Sequence, residues 1–256
     1  SDVAAYVIED CERRGLRPDV VHGHKLSIEG PIVERVADAL GVPFLISSMG
    51  DTDLKILGVK RGLRPTWTRI WRRAVGFTVA APWTASGLEA LLGPREGPVS
   101  VIPLPTLQDT VRAPRIVGPV IRSAFHMASW RRKNAAGLIA AAEKARRRVP
   151  DLRLEIVGGG DPAGFAEVAA RAERAGCARA IGPIPHGEMG DFLNNSGGFA
   201  LPSHRETYGM VFVEALLSGV PVLQGRGQAI TGLLDDDLAV LAPNPKDTDA
   251  MADALV

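Results

Sequence analysis

The sequence predicts an α/β protein built from two Rossmann-like domains. Three observations predict it. Short apolar runs of strand character alternate with helical patterns of about 10–15 residues, the pattern of parallel sheets with helices on both faces. The alternation occurs in two series, separated by a stretch rich in Pro and turn residues at 103–119. The length, 256 residues, suits one large or two modest domains. The expected division is 1–115 and 116–256.

In the first series, residues 3–14 read as a helix and 19–22 as a strand. Residues 28–40 form a helical pattern and 42–47 a strand. A helix is expected near 65–73, a strand at 75–80, a helix at 86–92 and a strand at 99–102. The second series is more regular. A strand is expected at 120–128. The Ala-rich helix at 134–149 has a basic end that suits the helix dipole. Residues 152–157 read as a strand running into Gly158-Gly159-Gly160. Helix 162–176, strand 178–181, short helix 185–194, strand 198–201, helix 208–218 and strand 220–223 follow. Asp247 is placed to cap a helix starting near Thr248.

Composition excludes several classes. Apolar residues make up 46% and charged residues 23%, ordinary for a soluble globular chain, so disorder is not the main state. No repeat of about 20–50 residues is visible. No apolar run approaches the roughly 18 residues of a membrane span. Residues 1–17 mix acids and bases without an apolar run and do not read as a signal peptide. Cys11 and Cys177 are too few and too far apart for a disulfide framework or a zinc site, so a cytoplasmic location is expected. The net charge is +1, which gives no indication of a nucleic-acid partner.

Charge is locally uneven. Lys55, Lys60, Arg61, Arg64, Arg69, Arg72 and Arg73 fall in one run without an acid, with Trp67 and Trp71 inside it. One reading places this run on an anionic membrane surface, at the inner membrane face. The favoured one puts the Trp rings in the core and the Arg heads in water.

Ligands of parallel sheets lie at the carboxyl ends of the strands. There the most informative segment runs from Pro202 to Val222. Glu206 sits in the loop after a strand, and Glu214 inside the following helix, with seven residues between them. Backbone N–H groups at the start of that helix, around Tyr208, Gly209 and Met210, can hold a diphosphate. Glu214 can accept hydrogen bonds from a ribose diol, and Glu206 can contact the group beyond the phosphates. Either acid alone reads more simply as a loop or surface carboxylate.

Glu206 and Glu214, followed by Ala215-Leu216-Leu217-Ser218-Gly219-Val220-Pro221, resemble the signature of retaining glycosyltransferases of the GT-B fold, glycosyltransferase family 4. Other segments share the resemblance. They are Pro18-Asp19-Val20-Val21-His22-Gly23-His24, Gly41 to Ile46 with Gly50 and Asp53, Lys133-Asn134 before Gly137-Leu138-Ile139, and Leu152 to Asp161. The resemblance implies a metal-independent, hexosyltransferase-type enzyme that retains anomeric configuration. It implies no cofactor beyond a nucleotide-sugar donor, a UDP- or GDP-sugar. It implies a carbohydrate, lipid-linked or small-molecule acceptor chosen by first-domain loops. Glu214 would bind the ribose and Glu206 the transferred sugar. Lys133, with Arg131 or Arg132, would neutralise the departing diphosphate. His24 would reach towards the sugar, and Gly159 and Ile184 would line the base pocket. The glycosidase rule on carboxylate separation does not apply to Glu206 and Glu214.

The chain departs from the family pattern in two places. A Gly-Arg pair usually precedes the Lys, and here Arg131 or Arg132 must substitute. The family's first strand and its glycine-rich loop have no counterpart, and the chain ends just after a helix starts, so the first domain is expected to be incomplete. Asp51-Thr52-Asp53 and Asp247-Thr248-Asp249 mimic an Asp-x-Asp metal motif, but the first fits a family loop and the second a helix cap. Asp235-Asp236-Asp237 reads as a solvated turn, and His126 as a structural residue inside a strand. His186 and His204 read as structural or base-adjacent. Two other readings compete: a non-catalytic nucleotide-sugar-binding module, and an NAD(P)-dependent oxidoreductase. Gly158 and Gly160 hint at the second, but Ala163 and Ala178 stand where its third small residue and its acid belong.

Overall fold

The computed structural model describes residues 2–108, 110–115, 117–234 and 240–256. The chain divides into two units, Ser1–Leu104 and Pro105–Val256. The division comes earlier than residue 115 because the Pro-rich stretch is tied to the second unit. Arg112 N–H donates to the Leu217 carbonyl at 2.7 Å, and the Asn194 amide donates to the Ala113 carbonyl at 3.0 Å.

The first unit holds a four-stranded parallel sheet in the order β1-β2-β3-β4. Its strands are β1 (Val21–Gly23), β2 (Phe44–Ser48), β3 (Gly76–Val79) and β4 (Val99–Val101). Its helices are α1 (Asp2–Arg14), α2 (Gly30–Leu40), α3 (Thr52–Val59), α4 (Arg64–Arg73) and α5 (Pro82–Leu92). Helix α4 shows why the basic Trp run folds as it does. Trp67, Ile70 and Trp71 fall on one helical face and are buried against Phe77, Leu57 and Leu88. Arg69 and Arg73 lie on another face, and both grip the buried Glu34 of α2 at 2.7 Å. These bonds, Arg69 foremost, hold the Glu34 carboxyl below its ordinary range. Arg95 closes the end of the cluster. Its guanidinium lies 5.0 Å from the Trp71 ring centroid and donates to the Trp71 and Ala74 carbonyls.

Helix α3 is absent from the sequence expectation, which gave residues 50–53 to a loop. What fixes its start is long-range. The buried Asp53 carboxylate accepts from the Leu26 and Ser27 N–H groups and from the Ser48 hydroxyl. Those partners pin the loop after β1 to the start of α3.

The second unit holds a six-stranded parallel sheet in the order β10-β9-β8-β5-β6-β7. Its strands are β5 (Val120–Ala124), β6 (Arg153–Val157), β7 (Ala178–Gly182), β8 (Gly198–Leu201), β9 (Val222–Gln224) and β10 (Val240–Leu241). Its helices are α6 (Ala135–Ala145), α7 (Pro162–Ala175), α8 (Met189–Asn194), α9 (Met210–Leu217) and α10 (Thr248–Ala254). Strand β5 stops short of the expected 128. His126 therefore lies after the strand, where its Nδ1 accepts from the Ala128 N–H at 3.3 Å. Its ring packs on Gly160, which has φ +86; a Cβ there would lie 2.0 Å from His126 Nε2, so only glycine fits. Asp247 caps α10, accepting from the Asp249 and Ala250 N–H groups at 3.0 Å. The two-residue β10, too short to leave a periodic signal, is an addition to the expected strands. Asp235-Asp236-Asp237 falls outside the described residues.

Candidate functional site

The strand order places the carboxyl ends of β5, β6, β8 and β9 side by side in the second unit. The loops that leave them carry Lys133, Gly158 to Gly160, Glu206 and Gln228.

Glu206 lies between β8 and α9 and is 8% exposed. Its Oε2 pairs with Lys133 Nζ, from the loop between β5 and α6, and accepts from the Ser203 hydroxyl at 3.3 Å. Its Oε1 accepts from the Thr207 N–H at 3.3 Å. The Lys133 side chain is 14% exposed, so this charge pair is largely shielded from water. Low local dielectric strengthens such a pair and raises the cost of losing either partner.

Gln228 was not anticipated from the sequence. Its Oε1 accepts from the Glu206 N–H at 2.5 Å, and its Nε2 donates to the Ser203 carbonyl at 2.6 Å. One side chain thus clamps two points, Ser203 and Glu206, of the loop between β8 and α9. A second cross-link joins the two charged loops, with the His204 N–H donating to the Arg132 carbonyl at 2.9 Å. The one sequence signal for Gln228 is its place in the loop after a strand, shared with many inert residues.

Arg131 and Arg132 separate. The Arg131 guanidinium lies over the Trp130 ring at 4.4 Å, a ring also covered by Arg171 at 5.1 Å. Arg132 is exposed and turns to the Arg205 carbonyl at 3.3 Å and the Ser129 hydroxyl at 3.2 Å. Packing therefore places Arg132, and not Arg131, beside the loop that carries Glu206.

Helix α9 starts at Met210, after Gly209 in a left-handed conformation (φ +74). A Cβ at Gly209 would lie 2.6 Å from the Phe212 ring, so the glycine serves packing as well as the turn. Met210 is half exposed, Tyr208 is buried, and Glu214, one turn into the helix, is 8% exposed. Glu214 Oε1 accepts from the Thr106 hydroxyl at 2.8 Å. Gly159 packs against Pro183 and accepts on its carbonyl from the Met127 N–H at 3.0 Å. Ile184 follows β7 and is half-buried.

His24 belongs to the first unit, at the carboxyl end of β1. Its N–H donates to Glu29 Oε2 at 2.7 Å, and its ring lies 4.5 Å from that of His22. His22 Nε2 is bonded to the Ser47 hydroxyl at 2.7 Å, which is bonded to the Thr78 hydroxyl at 2.6 Å. The chain crosses β1, β2 and β3. Burial, and then the neighbouring His24, push the His22 imidazole below its ordinary pKa. Among the described residues, no three His, Cys, Asp or Glu side chains come together as metal ligands would. Among them, no helix is long and apolar enough to cross a membrane.

A model of the glycosyl transferases group 1 family matches residues 126–255, and one of a glycosyl transferase 4-like domain matches 1–105. A phosphatidyl-myo-inositol mannosyltransferase of Mycolicibacterium smegmatis is 33% identical over 127 residues, 49% of this chain and 32% of its own length. The match thus spans about a third of that relative. Sucrose-phosphate synthase from Thermosynechococcus elongatus superposes with TM-score 0.73 at 18% identity, covering 99% of this chain and 68% of its own. HepE from Anabaena, solved in complex with UDP and glucose, superposes with TM-score 0.67 at 14% identity, covering 100% of this chain and 71% of its own. The parallel sheets, the loops at their carboxyl ends and the two family matches agree: the fold is GT-B, and the chain belongs to the glycosyl transferases group 1 family.

Proposed function

We propose that the chain transfers a hexose from a nucleoside-diphosphate sugar to a carbohydrate, lipid-linked or small-molecule acceptor, with retention and without a metal. The observation that carries this reading is the shielded Lys133–Glu206 pair with Glu214 one loop away, all at the carboxyl end of the second unit's sheet. In this reading Glu214 takes the ribose hydroxyls. Lys133, helped by Arg132, faces the diphosphate and stabilises the negative charge that develops as it leaves. Glu206 holds Lys133 in place and contacts the transferred sugar. His24 is assigned to sugar contact. HepE was solved with UDP and glucose, which supports a uridine donor; a GDP-sugar is the alternative.

The test is thermal unfolding with a panel of nucleoside diphosphates and their sugars, with and without EDTA, on wild type and Glu214→Ala. A ligand that binds only the folded state stabilises it by about 2.7 kcal/mol at a hundredfold excess over its Kd. One nucleotide should raise the midpoint, unaffected by EDTA, and lose its effect in Glu214→Ala. No response to any nucleotide would refute the reading.

One observation favours a membrane-side acceptor. Val59 and Leu63 are 83% and 50% exposed, beside Lys60, Arg61 and Arg64. Apolar tips among bases suit the surface of an anionic bilayer, and this reading places the protein on the cytoplasmic face.

A further inference from the structure

Thr106 stands near the start of the second unit, 108 residues before Glu214 in sequence, yet its hydroxyl donates to Glu214 Oε1 at 2.8 Å. The polarity of this bond is fixed. An ionised carboxylate only accepts, so the threonine proton goes to Glu214. The same hydroxyl oxygen accepts from the Gln108 N–H at 3.3 Å, which holds it from the other side.

Further along the chain, Arg112 and Ala113 are anchored to the elements around Glu214. Arg112 pairs with Asp191 on α8, and its N–H donates to the Leu217 carbonyl at the end of α9. Asn194 donates to the Ala113 carbonyl at 3.0 Å and to the Ser218 carbonyl at 2.6 Å, tying the segment to the turn after α9. Thr106 is therefore a donor, itself bonded by the Gln108 N–H, beside a carboxylate that is 8% exposed.

Glutamate has three rotatable side-chain bonds, and a ribose diol needs its carboxylate in one orientation. A carboxylate offers about four acceptor positions, and Thr106 fills one of them. Enough remain for two ribose hydroxyls. A hydroxyl that holds Oε1 without exhausting the group favours binding by ordering it in advance.

We infer that Thr106 is a positioning residue for the nucleoside: its hydroxyl holds the Glu214 carboxylate in the orientation that receives the ribose hydroxyls of a nucleoside diphosphate. The inference rests on the assignment of Glu214 to the ribose made above.

The experiment is titration calorimetry of UDP, GDP, their 2′-deoxy counterparts and inorganic pyrophosphate against wild type, Thr106→Val, Thr106→Ser and Glu214→Ala. Losing one hydrogen bond to a charged group should weaken the ribonucleotide by about tenfold in Thr106→Val. Thr106→Ser should bind as wild type does. Discrimination between the ribo- and deoxyribonucleotide should shrink in Thr106→Val. Pyrophosphate, which has no ribose, should bind wild type and Thr106→Val equally, which also shows that the variant is folded. Equal or tighter ribonucleotide binding by Thr106→Val, with Glu214→Ala weakened, overturns the positioning role alone. Tighter binding would mark Thr106 as a competitor for Glu214. Wild type that binds no nucleotide, or Glu214→Ala that binds like wild type, overturns the ribose assignment and this inference with it.

Discussion

Replacing Lys133 by Met should destabilise the second unit in a way that a second substitution repairs. The Lys133 and Glu206 side chains are 14% and 10% exposed and pair directly. Removing the ammonium leaves the Glu206 carboxyl without its lysine, with the Ser203 hydroxyl and the Thr207 N–H, each at 3.3 Å, among its donors. Breaking a fully buried pair costs about 3–5 kcal/mol, because the remaining charge is stranded. The residual exposure and the remaining donors reduce this to about 2–3 kcal/mol. For a unit of this size, that lowers the unfolding midpoint by about 4–12 °C. Glu206→Gln alone should cost less, since a lysine stem can bend its ammonium into water. The double variant Lys133→Met/Glu206→Gln should then be more stable than the sum of the singles by about 1–2 kcal/mol. Urea unfolding of the four proteins measures this coupling directly. A Lys133→Met variant within about 0.5 kcal/mol of wild type, or additive singles, refutes the view of the pair as a shielded charge contact.

Three further outcomes concern the first unit. The His22 imidazole is pushed below its ordinary pKa by burial and by His24, while Glu29 works the other way. The folded form thus binds a proton more weakly than the unfolded form. The His22 contribution is present above the unfolded value, about 6.5, and is lost as pH falls through the lower folded value. Stability measured from about pH 7.5 to pH 5, above most carboxylate titration, should fall less steeply in His22→Gln than in wild type; identical slopes would rule this out. The patch at Val59–Leu63 predicts that reversing charge at Lys60 and Arg61 weakens binding to vesicles containing anionic lipid without lowering the midpoint. Reversal at Arg69 and Arg73 should instead lower the midpoint, since both hold Glu34. Vesicle binding unaffected by Lys60 and Arg61 reversal would remove the membrane reading.

The alternation of strands and helices was legible because each element carries its own apolar period, and α4 is the clear case. Trp67, Ile70 and Trp71 are spaced to share a face, and Leu57, Phe77 and Leu88 bury that face. Helix α3 carries little such signal, and its start depends on Asp53 meeting Leu26, Ser27 and Ser48. Glu206 and Glu214 stood out by their spacing across a strand end and a helix, and Lys133 through the family resemblance. Gln228 and Thr106 are neutral, and their partners lie 22 and 108 residues away. No local pattern connects such pairs. Arg131 and Arg132 were equivalent by spacing, and only the Trp130 ring, covered by Arg131 and Arg171, separates them.

The residues that sequence did not disclose are the ones that make the disclosed charges usable. Loops at the ends of strands are ordinarily the mobile part of such a fold. Here backbone and side-chain bonds lace them together. His204 is tied to Arg132, Met127 to Gly159, and Gln228 to both Ser203 and Glu206. An ammonium stabilises developing negative charge effectively only when its position is set before the reaction. Charge without lacing would bind loosely, and lacing without charge would bind nothing anionic. The two contributions are separable by substitution. Removing Lys133 takes away the charge and leaves the Gln228 clamp on the Glu206 loop in place. Removing the clamp leaves every charge present but frees the loop that holds Glu206.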